Sequence, residues 1–431
     1  MAGERTRSQL VRALWTVVLI ITLTVAGCAR ESEQAVTAQL TKASGVRFDQ
    51  IGVDEVRETA DTMVVDTTGF GVDVLRGTDL SDNQVISPWS AMIALQMLRA
   101  GAGGTTAAEL DAVIGQQDDD ASAALIGQLD RFDGDPGGVD EDKPPTPPVF
   151  HQAAGIFIDD SVEVAAEYLE VLGSRFDSGV YPVDFTSPDT ESAIDKWLAV
   201  NTGGKILETP TDYNPDTVIS LLSTVYLAAA WQQPFSPDST APTDFTSADG
   251  SVDEVNMMRR TVSANWVSGA GWTGVQLPYS DGLAMQVFLP EGRDVRTILD
   301  QQVLSGASTQ LRSAPTTSVS VSLPRWEVES SVDLKTVLEA LGVRELFTDA
   351  ADLNGISPQL LVTAAAQDST ITVGEKGTVA ASATQIDAGV TAMPPEQMEL
   401  FVADRPFVYQ IIDTSTGLPL FLGSINKPGR V

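Results

Sequence analysis

Ala60, Met63, Val64, Phe70, Val72, Val74 and Leu75 recur at close to helical spacing and Gly77 ends the run, so a helix is predicted here. Ser87 then offers an N-cap oxygen with Pro88 at the first helical position, and Met92, Leu95 and Leu98 mark the apolar face of a second, buried helix. Thr106-Ala107-Ala108-Glu109 has the form of a capping box opening a third, and Ala121 to Phe132 predicts another. From Gln152 the period alternates, with Ala153–Ile158 extended, Ala165–Phe176 helical, Gly179–Phe185 extended and Ala193–Val200 helical. Val218 to Ala230 is a long, largely uncharged run suited to a central strand covered on both faces. Residues 255–325 predict short strands with Pro and Gly turns, and Ser331 is placed to cap a helix reaching Leu341, with Gly342 just beyond. Asp368–Val373 alternates as a strand does, and Pro406–Ile412 and Leu418–Ile425 predict two closing strands. Two stretches have no apolar period. Ala29 to Asp54 reads as a polar tether, and Asp133 to Pro148, rich in Pro, Gly and Asp, as an exposed insertion.

Length alone, 431 residues, would suggest two or three domains. The formal net charge is −33, and because Arg5, Arg7 and Arg12 outweigh Glu4 by two, the chain beyond residue 27 carries −35. Such a surface is soluble and repels nucleic acid and anionic lipid headgroups, which excludes both as expected partners. The first 27 residues have a basic start, an apolar run and small residues before Cys28, the form of an export signal too short to span a membrane. Val25-Ala26-Gly27-Cys28 resembles a bacterial lipobox, in which the cysteine is lipidated and becomes the mature N-terminus; the other reading is an ordinary signal peptide with a chance cysteine. Cys28 is the only cysteine, so no disulfide can form within the chain.

Catalytic chemistry is sparse. The only histidine, His151, would have to serve any Ser/His or Cys/His pair, and it stands between a Pro-rich loop and a strand. There is no P-loop, no Gly-rich dinucleotide motif, no Cys/His cluster for a transition metal and no Ca²⁺-loop pattern. Neither an enzyme nor a cofactor is expected.

After Gly374-Glu375-Lys376-Gly377 the chain turns small and mostly uncharged, with no Leu, Phe, Lys or Arg before Pro394. Composition leaves a flexible connector open. Parity points elsewhere: Thr378, Ala380, Ser382 and Thr384 share one side of an extended chain, a side narrow enough to slip between two packed strands. This stretch resembles the hinge and reactive-centre loop of the serpins, the serine-protease inhibitor family, here a bacterial lipoprotein-type member. The likeness continues in order through Asn83-Gln84-Val85-Ile86-Ser87-Pro88-Trp89-Ser90, Trp197 with Asn201 to Ile206, Trp231-Gln232-Gln233-Pro234-Phe235, Val255 to Met258, Leu277-Pro278-Tyr279, Leu323-Pro324-Arg325-Trp326, Asp352 to Ser357, Asp404-Arg405-Pro406-Phe407 and Phe421-Leu422-Gly423.

The resemblance implies an α+β fold with three β-sheets, about eight or nine helices and an exposed reactive loop. It divides the chain into a lipoprotein signal peptide over 1–27, a tether over 28–55 and one large domain over 56–431. Hinge and reactive loop span 377–399, with Gly377, Thr378, Val379, Ala380, Ala381, Ser382, Ala383 and Thr384 as the hinge. Trp231 falls in the family's breach, and Ser87, Ser90, Ser223 and Gln367 fall in its shutter. Gln367 stands where a histidine is common and Ser223 where an asparagine is common; either these positions simply pack, or they keep a polar lock, with Ser223 bridging to Ser87.

The family's count from Gly377 puts the attacked bond at Thr391–Ala392, with Pro394-Pro395 beyond. The implied activity is suicide-substrate inhibition of a serine protease, or a cysteine protease, with a small specificity pocket, elastase-like or subtilisin-like. The chain is expected to be a monomer, exported, facing outward and held at the membrane only through lipid on Cys28. The alternative is a non-inhibitory member serving as a surface binding module.

Overall fold

The structure, a computed structural model, describes residues 37–116, 118–140, 142–378 and 398–429. Helix α1 (Arg57–Arg76) buries Ala60, Met63, Phe70, Val72, Val74 and Leu75 and ends at Gly77, as the spacing predicts. Helix α2 (Pro88–Gly101) starts at Ser87, whose side chain accepts from the Ser90 amide, and is buried almost throughout. Helices α3 (Gly104–Ile114), α4 (Asp119–Leu129), α5 (Ala166–Phe176), α6 (Thr190–Asn201), α7 (Gln301–Ser313) and α8 (Leu334–Leu341) follow.

Helices α3, α8 and α7 depart from what the sequence pattern predicts. Helix α3 begins at Gly103, so Thr106 and Glu109 form no capping box; Thr106 Oγ1 donates to Glu345 and the Glu109 carboxylate accepts from the Arg344 and Glu345 amides. Helix α8 is capped by Asp333, because Ser331 belongs to a strand. Helix α7 lies where the sequence pattern predicts strands and turns; Asp300 caps it through the Gln302 and Val303 amides, and Leu304, Ala307, Ser308 and Leu311 form its buried stripe.

The strands, in chain order, are β1 (Gln84–Ile86), β2 (Val149–Asp159), β3 (Val180–Val183), β4 (Ile219–Ala230), β5 (Ala241–Thr246), β6 (Val252–Gly269), β7 (Trp272–Pro278) and β8 (Leu283–Pro290). They continue with β9 (Thr316–Pro324), β10 (Trp326–Asp333), β11 (Ala364–Gly374), β12 (Gly377–Thr378), β13 (Glu399–Val402), β14 (Phe407–Asp413) and β15 (Pro419–Ile425). One sheet has the order β10-β11-β12-β4-β2-β3; the other runs β1-β15-β14-β8-β7-β6-β9-β13, with β5 on β6. The long β6 pairs with β5 and β9 along most of its length and with β7 at its end, so the two smaller sheets of the expected three form one hydrogen-bonded network.

Core aromatics fill the space between the sheets: Trp326 of β10 meets Phe407 and Tyr409 of β14 at ring distances of 5.5 and 5.2 Å. Burying each such side chain stabilises by about 1.5–3 kcal/mol. Part of the predicted tether joins this body. The Thr41 amide donates to Val180 O at 2.7 Å, the Asp49 amide donates to Ser174 O at 2.8 Å, and Phe48 packs on the core.

Candidate functional site

At the top of the six-stranded sheet, β11 turns through Glu375-Lys376 and comes back as β12, antiparallel to β11 on one side and to β4 on the other. Thr378 stands opposite Val373 and Ala229, and Gly377 opposite Gly374 and Ala230. A side chain at residue 377 would collide with the Ala229 carbonyl oxygen, which is why the turn into the sheet takes glycine there. Below β12 the two long strands pair directly and in parallel, Ala364–Ser369 against Ser220–Val225. The sheet is thus closed at its lower end and wedged at its upper end by two hinge residues.

The wedge is held from all sides. Thr378, 1% exposed, shares a hydrogen bond between its hydroxyl and the Tyr279 phenol. Tyr279 stacks on Trp231 with ring centroids 4.2 Å apart and planes 5° from parallel, and burial pushes its phenol far above the usual range, so it stays neutral. Trp231 Nε1 donates to Gly374 O at 2.9 Å, the Trp231 amide to Lys376 O and the Phe235 amide to Glu375 O, each at 2.8 Å. The Glu375 carboxylate, 8% exposed, accepts from Arg325 Nε at 2.8 Å and Thr240 Oγ1 at 2.6 Å. Lys376 Nζ donates to Asp142 O at 2.7 Å, so the 133–148 insertion reaches across to the hinge.

Lower down, α2 meets the seam between β11 and β4. Gln367 Oε1 accepts from the Ser87 amide at 3.0 Å and its Nε2 donates to Ser87 O at 2.9 Å, a pairing that fixes which end of the amide is which. The same Nε2 reaches Ser223 Oγ across the seam at 3.3 Å, and Ser223 Oγ lies 2.6 Å from Ser90 Oγ. All four residues are buried. These positions are therefore joined by hydrogen bonds across the seam, and Ser223 bridges to Ser90 instead of Ser87, since the Ser87 hydroxyl caps α2. Beside Gln367, on the sheet's other face, burial raises the Asp368 carboxyl to about 6, opposed by a hydrogen bond with Ser331 and aided by the charge of Glu329.

Of the expected site residues, Trp231, Gly377 and Thr378 come together at the top, and Ser87, Ser90, Ser223 and Gln367 at the seam. Val379 to Thr384, Thr391, Ala392 and Cys28 lie outside the described residues. The sequence pattern predicts no role for Tyr279, Arg325 or Glu375, although Leu277-Pro278-Tyr279 and Leu323-Pro324-Arg325-Trp326 stand among the family-like motifs. His151 is the third residue of β2, with Nδ1 2.7 Å from Asp133 Oδ1 and Nε2 2.9 Å from Asn201 Oδ1, so both ring nitrogens are engaged.

The family model described as serpin (serine protease inhibitor) matches residues 66–428. The chain is 30% identical over 362 residues to serine proteinase inhibitor 1 of Myxoma virus (strain Lausanne), covering 81% of this chain and 88% of the relative. It is 28% identical over 377 residues to Iris of Ixodes ricinus, covering 83% and 97%. The crystal structure of tengpin, a thermophilic serpin in the native state, superposes with a TM-score of 0.78 at 23% identity, covering 91% of this chain and all of that one.

Proposed function

The chain belongs to the serpin family, and on that premise we propose that it inhibits a small-pocket serine protease as a suicide substrate, by inserting its cleaved loop between β4 and β11. The observation that carries this is β12, which already occupies the first position of such a strand with the required antiparallel register on both sides. Continuing that register places Ala380 between Ile371 and Leu227, Ser382 between Ser369 and Val225, and Thr384 between Gln367 and Ser223. Each arrival suits its site. Ala380 fits between two large core residues, Ser382 brings a hydroxyl to Ser369 Oγ, a buried atom without a partner among the described residues, and Thr384 can accept from Gln367 and donate to Ser223. The lock across the seam is thus remade through the new strand.

In the proposed reaction the protease serine attacks the Thr391 carbonyl, the Thr391–Ala392 bond breaks, and the Ala392 amine leaves with the proton from the serine. Thr378 to Thr391 is fourteen residues, about 46 Å when extended, enough to carry the acylated protease to the opposite end of the sheet. The absence of Lys and Arg between Gly377 and Pro395 disfavours trypsin-like targets, leaving elastase-like or subtilisin-like ones. We also propose that Cys28 is lipidated and holds the domain outside the membrane.

Incubation with elastase-, subtilisin-, chymotrypsin- and trypsin-type proteases tests the reading. The expected result is an SDS-stable complex with one of the first two and a released fragment beginning at Ala392. Cleavage of the loop by every protease without a stable complex would sink the inhibitory reading.

A further inference from the structure

The chain enters the domain along the outer edge of β3. The Thr41 amide donates to Val180 O at 2.7 Å and the Val180 amide to Thr41 O at 3.1 Å, an antiparallel bridge. Lys42 Nζ pairs with Asp177 at 2.8 Å, and Ala38 packs on the outer cluster that holds Phe157 and Val183. Glycine is needed at residue 179, where a Cβ would stand 2.1 Å from Thr41 O. Val180 is level with Ile156 and, across β2, with Leu221, whereas Thr378 is level with Ala229 eight residues up β4. The entry point therefore lies about 27 Å below the hinge. Direction follows from the pairing: β3 is parallel to β2, β2 is antiparallel to β4, and the Thr41 bridge is antiparallel to β3. The Thr41 segment thus runs from the lower end of the sheet towards the hinge end, and the residues before it lead out at the lower end.

We propose that lipid on Cys28 holds the lower end of the six-stranded sheet towards the bilayer, with the hinge end pointing outward. This rests on the lipidation reading. Length decides it. Thr37 is nine residues beyond Cys28, a reach of at most about 32 Å, whereas a tether free to residue 55 would reach about 90 Å. From Ile219 to Ala230, β4 adds about 36 Å between the entry end and the hinge. Charge does not draw the domain in, because the chain beyond residue 27 carries −35 and anionic headgroups repel it.

The orientation bears on inhibition. Under the insertion reading, the acylated protease is carried down the same sheet from the hinge end to the lower end, which is here the bilayer side. A protease caught from solution is thereby left between the domain and the membrane.

Cys28 is the only cysteine, so the chain beginning there can be coupled to a maleimide-headgroup lipid in neutral phosphatidylcholine vesicles without lipidation by a cell. A donor fluorophore is attached through genetically encoded p-azidophenylalanine at the position of Asp216, just before β4, or of Gln232, just past its end, both exposed. Energy transfer to acceptor lipid then reads the height of each. Transfer from position 216 should be at least twice that from position 232. Gly179→Ala, which forces the Thr41 segment off β3, should lower both and bring the ratio towards one. Equal transfer in the parent, or more from position 232, overturns the orientation, and this measurement stands even if the variant does not fold. A ratio unchanged in a folded Gly179→Ala overturns the role of the docked segment. A donor-labelled protease should transfer at least twice as strongly when trapped on these vesicles as when its active serine is replaced by alanine and it only docks at the uncleaved loop. Equal transfer overturns the delivery to the bilayer side. An unmodified Cys28 in cells would end the lipid reading and leave the vesicle result as the measure of the geometry.

Discussion

The hydroxyl of Thr378 is hydrogen-bonded to the phenol of Tyr279 inside the top of the six-stranded sheet, while Tyr279 lies flat on Trp231. The sequence reading takes Thr378 as the first hinge residue that has to enter the sheet. In the structure it has entered, and the next inward-facing residue of the continued register is Ala380. Thr378 thus contributes to the stability of the uncleaved protein as well as to the start of the new strand.

Thr378→Val keeps the shape and leaves the Tyr279 hydroxyl buried without its partner, which should cost about 1–3 kcal/mol in thermal or urea unfolding of the uncleaved protein. Thr378→Arg should lower the melting temperature severely, because a guanidinium would have to occupy a closed, packed position. Ala380→Arg is the cleaner probe of insertion: a melting temperature close to the parent's, normal cleavage and little stable complex. Val379→Arg, one residue earlier and of outward parity, should trap protease nearly as well as the parent. Equal loss in Ala380→Arg and Val379→Arg would refute the register.

Arg325→Ala removes two donors from the Glu375 carboxylate and leaves it nearly buried at the turn that positions β12. A loss of about 2 kcal/mol is expected, given about 1.5–3 kcal/mol for hydrogen bonds to charged groups and the partial exposure of Arg325. Arg325→Ala combined with Glu375→Gln should cost less than the two single changes added together. Additive losses in a double-mutant cycle would mean that the pair is not coupled.

Gln367→Leu strips partners from both the amide and the carbonyl of Ser87 and from Ser223. Unfolding should lose about 1–3 kcal/mol, because the Ser87 amide is left unmet while the Ser87 carbonyl keeps the Ala91 amide and Ser223 Oγ keeps Ser90. Ser223→Ala, which removes only the atom bonded to Ser90 and Gln367, should lose about 1 kcal/mol. If Gln367→Leu proves as stable as the parent, these atoms do not lock the sheet.

Asp368 gives a dependence on pH whose sign follows from its raised value of about 6. Between the unfolded value near 4 and about 6, the folded chain holds a proton that the unfolded chain has lost, so this group's contribution to stability improves as pH falls through that window. Above it the buried carboxylate is charged and costs about 3 kcal/mol. Asp368→Asn should therefore raise the melting temperature at pH 7.5 and converge with the parent near pH 4. A constant difference across that range would remove the titration.

Cys28→Ala should release the protein from membranes in cell fractionation, and the parent's mature N-terminus should be a lipid-modified Cys28. An unmodified Cys28 would end the anchoring proposal.

Several elements were legible from local pattern because local physics decides them. The apolar spacing of α1, the Ser87-Pro88 start of α2, the uncharged run of β4 and the αL glycine after α8 each depend on residues within a turn or two. The parity of Thr378 and Ala380 likewise follows from any extended backbone. Position in the fold decided the rest. Thr106 and Glu109 can form a capping box, yet the 344–352 segment lies close enough to claim both side chains. Ser331 can cap a helix, but pairing with Asp368 keeps it in β10 and hands the cap to Asp333. Ser223 turned to Ser90 because the Ser87 hydroxyl was already committed to its own helix. Arg325 and Glu375, fifty residues apart in sequence, meet only once β10 has paired with β11. A sequence states which bonds each side chain is able to make; where two partners compete, the chain's path through space brings one of them within 3 Å, and the steep loss of a hydrogen bond with distance settles the choice.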